Sequence, residues 1–198
     1  MLEENQRYVY PRHIPHLIFS HLMAGPQVAK RWFQECKENT KWTQGTLKVY
    51  NRECTEPRLT AYFSDISDYK YSGKVAKATP FGESKVVSEI LNYVHQALRP
   101  DIRFNSCLMN YYRNGDDRVG WHSDNDALYG EDPIVATVTL GVARDFDMRF
   151  RADHSKKCRV TMQPGSLLLM GGSMQRYWHH QIPPRKRLKK NLRKFERI

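Results

Sequence analysis

Hydrophobic residues recur at helical spacing in two stretches of the chain. In residues 14–36 the apolar positions follow a helix-like spacing, although Gly25-Pro26 interrupts the pattern. This stretch predicts two helices or one broken helix. Residues 84–98 are more regular and carry one apolar stripe at positions 86, 87, 90, 91, 94, 97 and 98. Arg99-Pro100 predicts the end of that helix, because a residue before proline disfavours the helical conformation.

Most of the remaining chain consists of short runs rich in β-branched and aromatic residues, which are typical of strands. The predicted strands are residues 46–50, 58–63, 104–112, 135–141, 160–162 and 165–170. Early helices followed by many short strands predict an α+β protein built on a double-stranded β-helix, or jelly roll, with the helices packed on one side. A chain of 198 residues without an internal repeat or a long linker predicts a single domain, residues 1–198.

Net charge and cysteine content indicate the kind of partner and the cellular environment to expect for this protein. The net charge is +11 and the pI about 9.6, which favours a polyanionic partner, with nucleic acid as the first candidate and a merely solvated basic surface as the alternative. The four cysteines form no Cys-x-x-Cys pair and predict reduced thiols. Because no apolar run has the length of a membrane span and no signal-peptide pattern occurs at the N-terminus, we expect an intracellular protein.

A histidine and an aspartate two residues apart, His122 and Asp124, follow an aromatic strand-like segment. In an extended chain such residues point the same way, so both side chains face one metal ion. His180 is the better third ligand of the pair His179-His180, since it shares a face with Trp178 while His179 points to the opposite side. Two histidines and one carboxylate are the ligands of a non-haem Fe(II) facial triad, which leaves three metal positions open for chemistry. The sequence therefore predicts an iron-dependent oxygenase.

Three spaced motifs resemble the AlkB family of Fe(II)- and 2-oxoglutarate-dependent dioxygenases. They are Asn110-x-Tyr112-x-x-Gly115, His122-x-Asp124 and Trp178-x-His180-x-x-Pro183. The segments at residues 57–62 and 165–170 also resemble family strands, and the likeness runs over residues 42–185. It implies a nucleotide-recognition lid of hairpins at about residues 42–75 and a jelly-roll catalytic core at about residues 104–198.

The resemblance implies an enzyme that uses Fe(II), O2 and 2-oxoglutarate. His122, Asp124 and His180 would be both metal ligands and catalytic residues, and Asn110 and Tyr112 would bind the 2-oxoglutarate carboxylates. The family's Arg-x-Asn-Leu-x-Phe-Arg strand is altered here, in the run of residues 185–197. A planar guanidinium suits the far carboxylate best. The candidates for that cation are, in order of preference, Arg193, Arg187 and Lys189.

By the same resemblance the substrate is an N-alkylated base, 1-methyladenine or 3-methylcytosine, most simply in DNA. Demethylation would release succinate, CO2 and formaldehyde. A cationic methylated base favours an aromatic face and a carboxylate. The candidate substrate-binding residues are Tyr50 as a wedge that replaces a flipped base, Arg58, Tyr69, Tyr71, Asp126, and Arg185 and Lys186 as a backbone clamp.

Several alternatives stay open from the sequence. The same chemistry on RNA is the first, because segment 57–62 resembles the single-strand-preferring members whereas Tyr50 and the basic run resemble the duplex-specific ones. A lesion-binding protein with impaired turnover is the second, motivated by the altered C-terminal strand, and a protein hydroxylase is the third. The basic run at residues 185–190 also resembles a nuclear-localisation signal. We expect a monomer without a membrane partner, in the nucleus if the source is eukaryotic and otherwise in the cytoplasm.

Overall fold

The computed structural model describes residues 16–20, 24–49, 52–71, 74–124, 129–185 and 196–198. Its helices are α1 (Pro26–Asn39), α2 (Lys85–Ala97) and the single turn α3 (Met174–Tyr177), with a 3-10 turn at Phe81–Glu83. Its strands are β1 (His16–Ser20), β2 (Thr46–Val49), β3 (Arg52–Thr55), β4 (Leu59–Ser64), β5 (Tyr69–Tyr71), β6 (Lys74–Ala76), β7 (Ser106–Tyr111), β8 (Val119–His122), β9 (Val135–Val138), β10 (Arg144–Phe150), β11 (Lys157–Met162), β12 (Leu167–Gly171) and β13 (Trp178–Ile182). In this part of the chain, no helix has both the length and the apolar character needed to cross a membrane.

Two antiparallel sheets enclose one of the two hydrophobic cores. A three-stranded sheet has the order β1-β12-β9, and a four-stranded sheet has the order β11-β10-β13-β8. Leu168 and Met170 from the first sheet pack with Phe146, Met148 and other residues of the second. Three two-stranded pairs, β2-β3, β4-β7 and β5-β6, complete the strands. The arrangement agrees with the predicted α+β jelly roll.

The helices form a layer on one side of the strands. α1 begins at Pro26, which suits the first helical turn because its missing N–H needs no partner there. It buries Ala29, Trp32, Phe33 and Cys36, which lie one turn apart on a single face. These residues pack in a second core with α2 and with strands β4 and β7. The predicted helical stripe at residues 84–98 is confirmed as α2, whose N-terminus is capped by the Ser84 hydroxyl.

The predicted helix before Gly25 is wrong. Residues 16–20 form strand β1, which pairs antiparallel with β12 so that Leu17 lies opposite Met170 and Phe19 opposite Leu168. Leu17 and Phe19 alternate inward onto the core between the sheets. A run this short fits both the helical and the strand period, and the open edge of β12 selects the strand.

Strand β10 is the main element that the sequence pattern did not predict. Its residues Phe146 and Met148 alternate inward and are buried, but charged residues stand between them. Arg144 and Asp147 are buried as well, because each finds polar partners within the fold. The alternating apolar positions were the available signal, and the charged positions concealed it.

Candidate metal and cosubstrate site

Adjacent strands bring two histidines together. β13 and β8 pair so that His180 lies directly opposite His122, and the two ring centres are 4.2 Å apart. Asp124 follows the end of β8 by two residues, and its carboxylate lies 3.6 Å from Nε2 of His122 and 3.3 Å from Nε2 of His180. One ligand atom from each of the three residues lies within 4.8 Å of the others. The three residues predicted from spacing therefore form one cluster.

The surroundings of the histidines favour the metal-binding form of the imidazole. Nδ1 of His122 lies 2.8 Å from the Gly120 carbonyl, so this nitrogen carries the proton and Nε2 offers its lone pair to the cluster. Burial lowers the pKa of His122, which keeps the ring neutral. His180 is buried, and Phe146 stacks on its ring at 5.2 Å.

The donor set fits a divalent transition metal. Burial alone would raise the pKa of Asp124, but the hydrogen bond with His180 and the electrostatic interactions with His180 and His122 together outweigh burial and lower the pKa, so this group is a carboxylate at neutral pH. Among the described residues, no lysine or arginine forms an ion pair with this carboxylate. Two imidazoles and one carboxylate grouped together are the ligand set of the facial arrangement that suits Fe(II).

Asn110 has an amide orientation set by Arg58, a residue whose charge also contributes to the lowered pKa of His122. It sits on β7 opposite Thr60 of β4, and Nε of Arg58 donates a 2.8 Å hydrogen bond to its Oδ1. The amide NH2 is therefore directed away from Arg58 and can donate to a ligand. Arg58 is itself nearly buried and lies 3.7 Å from the fully buried carboxylate of Glu56. Arg58 thus orients Asn110, and its predicted contact with substrate stays a prediction.

Tyr112, two residues after Asn110, is buried between two guanidinium groups. Burial raises the pKa of its phenol, so the hydroxyl stays protonated. Arg144 lies 5.6 Å and Arg197 lies 5.8 Å from the centre of its ring. Arg144 donates to the backbone carbonyls of Asn114, Asp117 and Pro183 at 2.7–3.1 Å, so its charge is well solvated by the protein.

Arg197 reaches this position in the segment of residues 196–198, which forms isolated antiparallel bridges. Its backbone exchanges two hydrogen bonds with Tyr112, and Ile198 exchanges two with Leu140. Gly141 permits this close approach, because it has a φ of +84° and an added Cβ would overlap the Glu196 carbonyl oxygen. Residues 196–198 therefore lie between the end of β7 and the segment that follows β9.

The guanidinium of Arg197 is buried and only partly hydrogen-bonded. It is 2% exposed, and Nη2 donates a 3.0 Å hydrogen bond to Thr139 Oγ1. Nε and Nη1 are also buried, and neither has a hydrogen-bond partner within the part of the chain that the structure describes. Burial and the nearby charge of Arg144 lower its pKa to about 10. A planar cation with two unsatisfied N–H groups fits a carboxylate. The site thus has the residues for a dicarboxylate as well as for a metal.

Arg197 was missed by sequence reasoning. Within the basic run of residues 185–197 no local pattern separates it from its neighbours, and only burial beside Tyr112 does so. The preferred Arg193, Arg187 and Lys189 lie outside the described residues.

The structure also gives positions for some of the predicted substrate residues. Tyr69 is buried, with its ring centre 5.3 Å from that of Tyr62 and 5.9 Å from that of Tyr129, so it contributes to an aromatic cluster. Arg185 donates a 3.0 Å hydrogen bond to the Ala143 carbonyl. Tyr71 ends β5, but its side chain is not described, and Tyr50, Asp126 and Lys186 lie outside the described residues.

Comparison with known proteins gives consistent matches. Residues 12–198 match the sequence model of the 2OG-Fe(II) oxygenase superfamily. The DNA oxidative demethylase ALKBH2 of Arabidopsis thaliana is 32% identical over 178 residues, covering 78% of this chain and 56% of that protein. The alpha-ketoglutarate-dependent dioxygenase alkB homolog 3 of Bos taurus is 30% identical over 159 residues, covering 76% of this chain and 54% of that protein. The chain therefore spans about half the length of these relatives.

A solved structure supports the fold. The structure of OsALKBH1 superposes with a TM-score of 0.53 at 19% sequence identity, covering 92% of this chain and 89% of that one. At this identity the likeness concerns the fold alone.

Proposed function

Because this chain belongs to the 2OG-Fe(II) oxygenase superfamily as an AlkB-type member, we propose that it removes methyl groups from ring nitrogens of nucleic-acid bases. The proposed substrates are 1-methyladenine and 3-methylcytosine in DNA, and the proposed products are the restored base, formaldehyde, succinate and CO2. The observation that carries the proposal is that one core connects the His122-Asp124-His180 cluster with the guanidinium of Arg197. Phe146 and Tyr112 both belong to this core, Phe146 stacks on His180, and Arg197 lies 5.8 Å from the centre of the Tyr112 ring.

The side chains of this interior have distinct proposed roles in binding the metal and the cosubstrate. His122, Asp124 and His180 would hold Fe(II) from one side, which leaves the opposite side for 2-oxoglutarate and O2. Bound iron, with O2 and 2-oxoglutarate, supplies the oxidation that turns the N-methyl group into a hydroxymethyl group, which leaves as formaldehyde. The Asn110 amide would donate to the cosubstrate near the metal, and Arg197 would pair with the far carboxylate.

The remaining side chains of the interior would exclude water from the reaction site. Tyr112 keeps its proton and would donate its hydroxyl to a cosubstrate carboxylate. Phe146 stacks on His180, and Met148 and Ile182 fill the neighbouring interior, so the closed side of the cluster excludes water. Exclusion of water strengthens the pairing of Arg197 with a carboxylate, because the local dielectric constant is low.

Nucleic acid is the proposed substrate class because of charge as well as relatives. A net charge of +11 favours a polyanion, and the phosphate backbone would supply affinity that falls with salt. A base in a duplex must be flipped out before the metal can reach its methyl group. We propose Tyr50 as the side chain that fills the resulting gap, with Lys186 and its basic neighbours on the backbone.

The rival proposal is a lesion-binding protein without turnover, and it rested on the altered C-terminal strand. Arg197 argues against it, because the described interior retains a buried cation with free N–H groups for the cosubstrate. Demethylation of RNA stays the alternative within the same chemistry.

The test is a demethylation assay. The protein is incubated with Fe(II), ascorbate, 2-oxoglutarate and oligonucleotides that carry 1-methyladenine or 3-methylcytosine, in single-stranded DNA, duplex DNA and RNA. Loss of the methyl mass with an equal yield of succinate supports the proposal and ranks the substrates. Succinate without repair would contradict the substrate class, and absence of both products in the presence of bound iron would favour the binding-only rival.

Two neighbouring histidines provide a matched pair of variants for this assay. His180→Ala removes a ligand of the cluster and is expected to abolish succinate and repair. His179→Ala alters the opposite face of β13, where His179 lies beside Arg149, and is expected to retain both. Equal losses in the two variants would contradict the assignment of His180 to the metal.

A second comparison concerns the proposed wedge. Tyr50→Ala should reduce repair of duplex DNA more than repair of a single strand, because only the duplex has a gap to fill. An equal reduction on both substrates would reject the wedge.

A further inference from the structure

The buried side chain of Gln175 links the two segments that supply the metal cluster. It lies in α3, five residues before His180, and it is 1% exposed. Its Oε1 accepts a 2.9 Å hydrogen bond from the backbone N–H of Asp124, which is 51 residues away in sequence. We infer that Gln175 is a positioning residue, which holds the backbone at Asp124 so that its carboxylate meets the metal together with His122 and His180. This inference rests on the proposed function of the same site.

The backbone at Asp124 needs such support. Strand β8 ends at His122, so Asp124 lies two residues beyond the ladder that aligns His122 with His180. A carboxylate ligand of a metal must be placed to within about half an ångström of its productive position. The hydrogen bond from Asp124 to Gln175 extends the alignment of the two segments by one further cross-link.

The amide of Gln175 is oriented by its two contacts. Oε1 must face the Asp124 N–H, because the reversed amide would oppose two donors. Nε2 then faces the sulfur of Met170 at 3.6 Å, a weak acceptor in the core of β12. Methionine has nearly the same shape as glutamine but offers no oxygen, so it removes the acceptor and keeps the packing.

The fold provides a control for the substitution. Gln181 lies on β13 one residue after His180, and its Nε2 donates to Asp147 at 3.1 Å on the face that points away from the cluster. Gln175→Met and Gln181→Met therefore make the same chemical change, one beside Asp124 and one on the outer face. A positioning role predicts an effect on metal affinity for the first variant alone.

The experiment measures metal affinity without turnover. Mn(II), a redox-stable substitute for Fe(II), is titrated into the full chain, and free Mn(II) is followed by electron paramagnetic resonance. Gln175→Met is expected to raise the Kd for Mn(II) about tenfold or more, the usual effect of removing a partner that orients a ligand. Gln181→Met is expected to stay within about twofold of the parent. A Kd for Gln175→Met within about twofold of the parent would overturn the inference.

Two further measurements keep the inference testable if packing changes. Amide hydrogen exchange at Asp124 in the metal-free protein should accelerate in Gln175→Met, because the N–H loses its acceptor. Gln175→Glu keeps an oxygen acceptor at the same reach, so the Asp124 N–H should exchange more slowly in it than in Gln175→Met. Equally fast exchange in the two variants, or unchanged exchange at Asp124 in Gln175→Met, would overturn the role of the acceptor.

Failure of the proposed function gives a different result. If the parent itself does not bind Mn(II), the metal cluster and the oxygenase proposal are both rejected. If the parent binds and repairs DNA while Gln175→Met binds equally well, only the role of Gln175 is rejected.

Discussion

Replacement of Arg197 by methionine should affect cosubstrate binding and protein stability in opposite directions. The substitution keeps an unbranched, buried side chain but removes the cation beside Tyr112. If 2-oxoglutarate pairs with Nε and Nη1, the variant loses a buried, charge-assisted interaction. If no ligand is present, the variant loses a charge that the fold leaves partly unsatisfied. Arg197 therefore separates a ligand-binding role from a structural one.

The expected magnitudes follow from burial. Loss of one partner of a buried charge pair costs about 3–5 kcal/mol, which corresponds to a weakening of 2-oxoglutarate binding by about 100- to 1,000-fold or more. Burial lowers the pKa of Arg197 to about 10, which at about 1.4 kcal/mol per pH unit is roughly 3 kcal/mol against the charged form. A basic group whose pKa is lowered by folding destabilises the folded state at every pH below its pKa in the folded state. The cost is therefore present at neutral pH.

The stability change of the ligand-free variant is smaller than that cost. Methionine also loses the hydrogen bond to Thr139, worth about 1 kcal/mol. The ligand-free variant should therefore gain about 2 kcal/mol, or about 4–8 °C in Tm for a domain of this size.

Calorimetry with two ligands tests the assignment. 2-Oxoglutarate and 2-oxovalerate, which lacks the far carboxylate, are titrated into the Mn(II)-loaded parent and Arg197→Met. The parent should strongly prefer 2-oxoglutarate, and the variant should bind both ligands about equally. Arg99→Met removes an exposed guanidinium that pairs with Asp101, and it should leave the preference unchanged. A variant that binds 2-oxoglutarate within about threefold of the parent, or that melts several degrees lower, would refute the reasoning.

Three further predictions concern the surrounding structure. Gly141→Ala places a Cβ against the Glu196 carbonyl at a φ of +84°, so it should cost about 3 kcal/mol and weaken 2-oxoglutarate binding; an unchanged thermal midpoint would contradict the close approach. Burial alone would raise the pKa of Asp117, but hydrogen bonds from Arg113 lower it, so the stability that this carboxylate contributes is complete above about pH 4 and is lost as the pH falls through the lowered pKa. In Asp117→Asn the midpoint of urea unfolding should therefore depend less on pH between about pH 5 and pH 2. A pH dependence parallel to that of the parent would exclude a stabilising Arg113–Asp117 pair. Asp124→Ala should abolish Mn(II) binding and succinate formation even at millimolar Fe(II), and residual turnover would reject the metal cluster.

The regular elements could be predicted where one period dominates. The stripe of α2 extends over more than three turns, so its helical assignment needed no tertiary information. The helix predicted at residues 16–20 was wrong because so short an apolar run fits both the helical and the strand period. Pairing with the edge of β12 selects the strand. In β10 the charged positions between Phe146 and Met148 hid the strand, since their partners come from other strands.

The residues of the site likewise fall into those that the sequence could predict and those that it could not. His122 and Asp124 lie two residues apart, so the geometry of an extended chain already directs both side chains to one point. The selection of His180 over His179 follows from alternation along β13. These relations are local, so they follow from residue spacing without knowledge of the fold.

The identity of the buried cation depends on how distant segments pack together. Residues 185–197 contain many lysines and arginines, and the sequence does not show which of them is buried. Arg197 is distinguished by its backbone bonds to Tyr112 and by the close approach that Gly141 permits. The acceptor that Gln175 offers to Asp124 likewise joins segments that are far apart along the chain. Sequence periodicity reports which face a residue occupies within its own element, whereas burial and hydrogen-bond satisfaction depend on which elements come together.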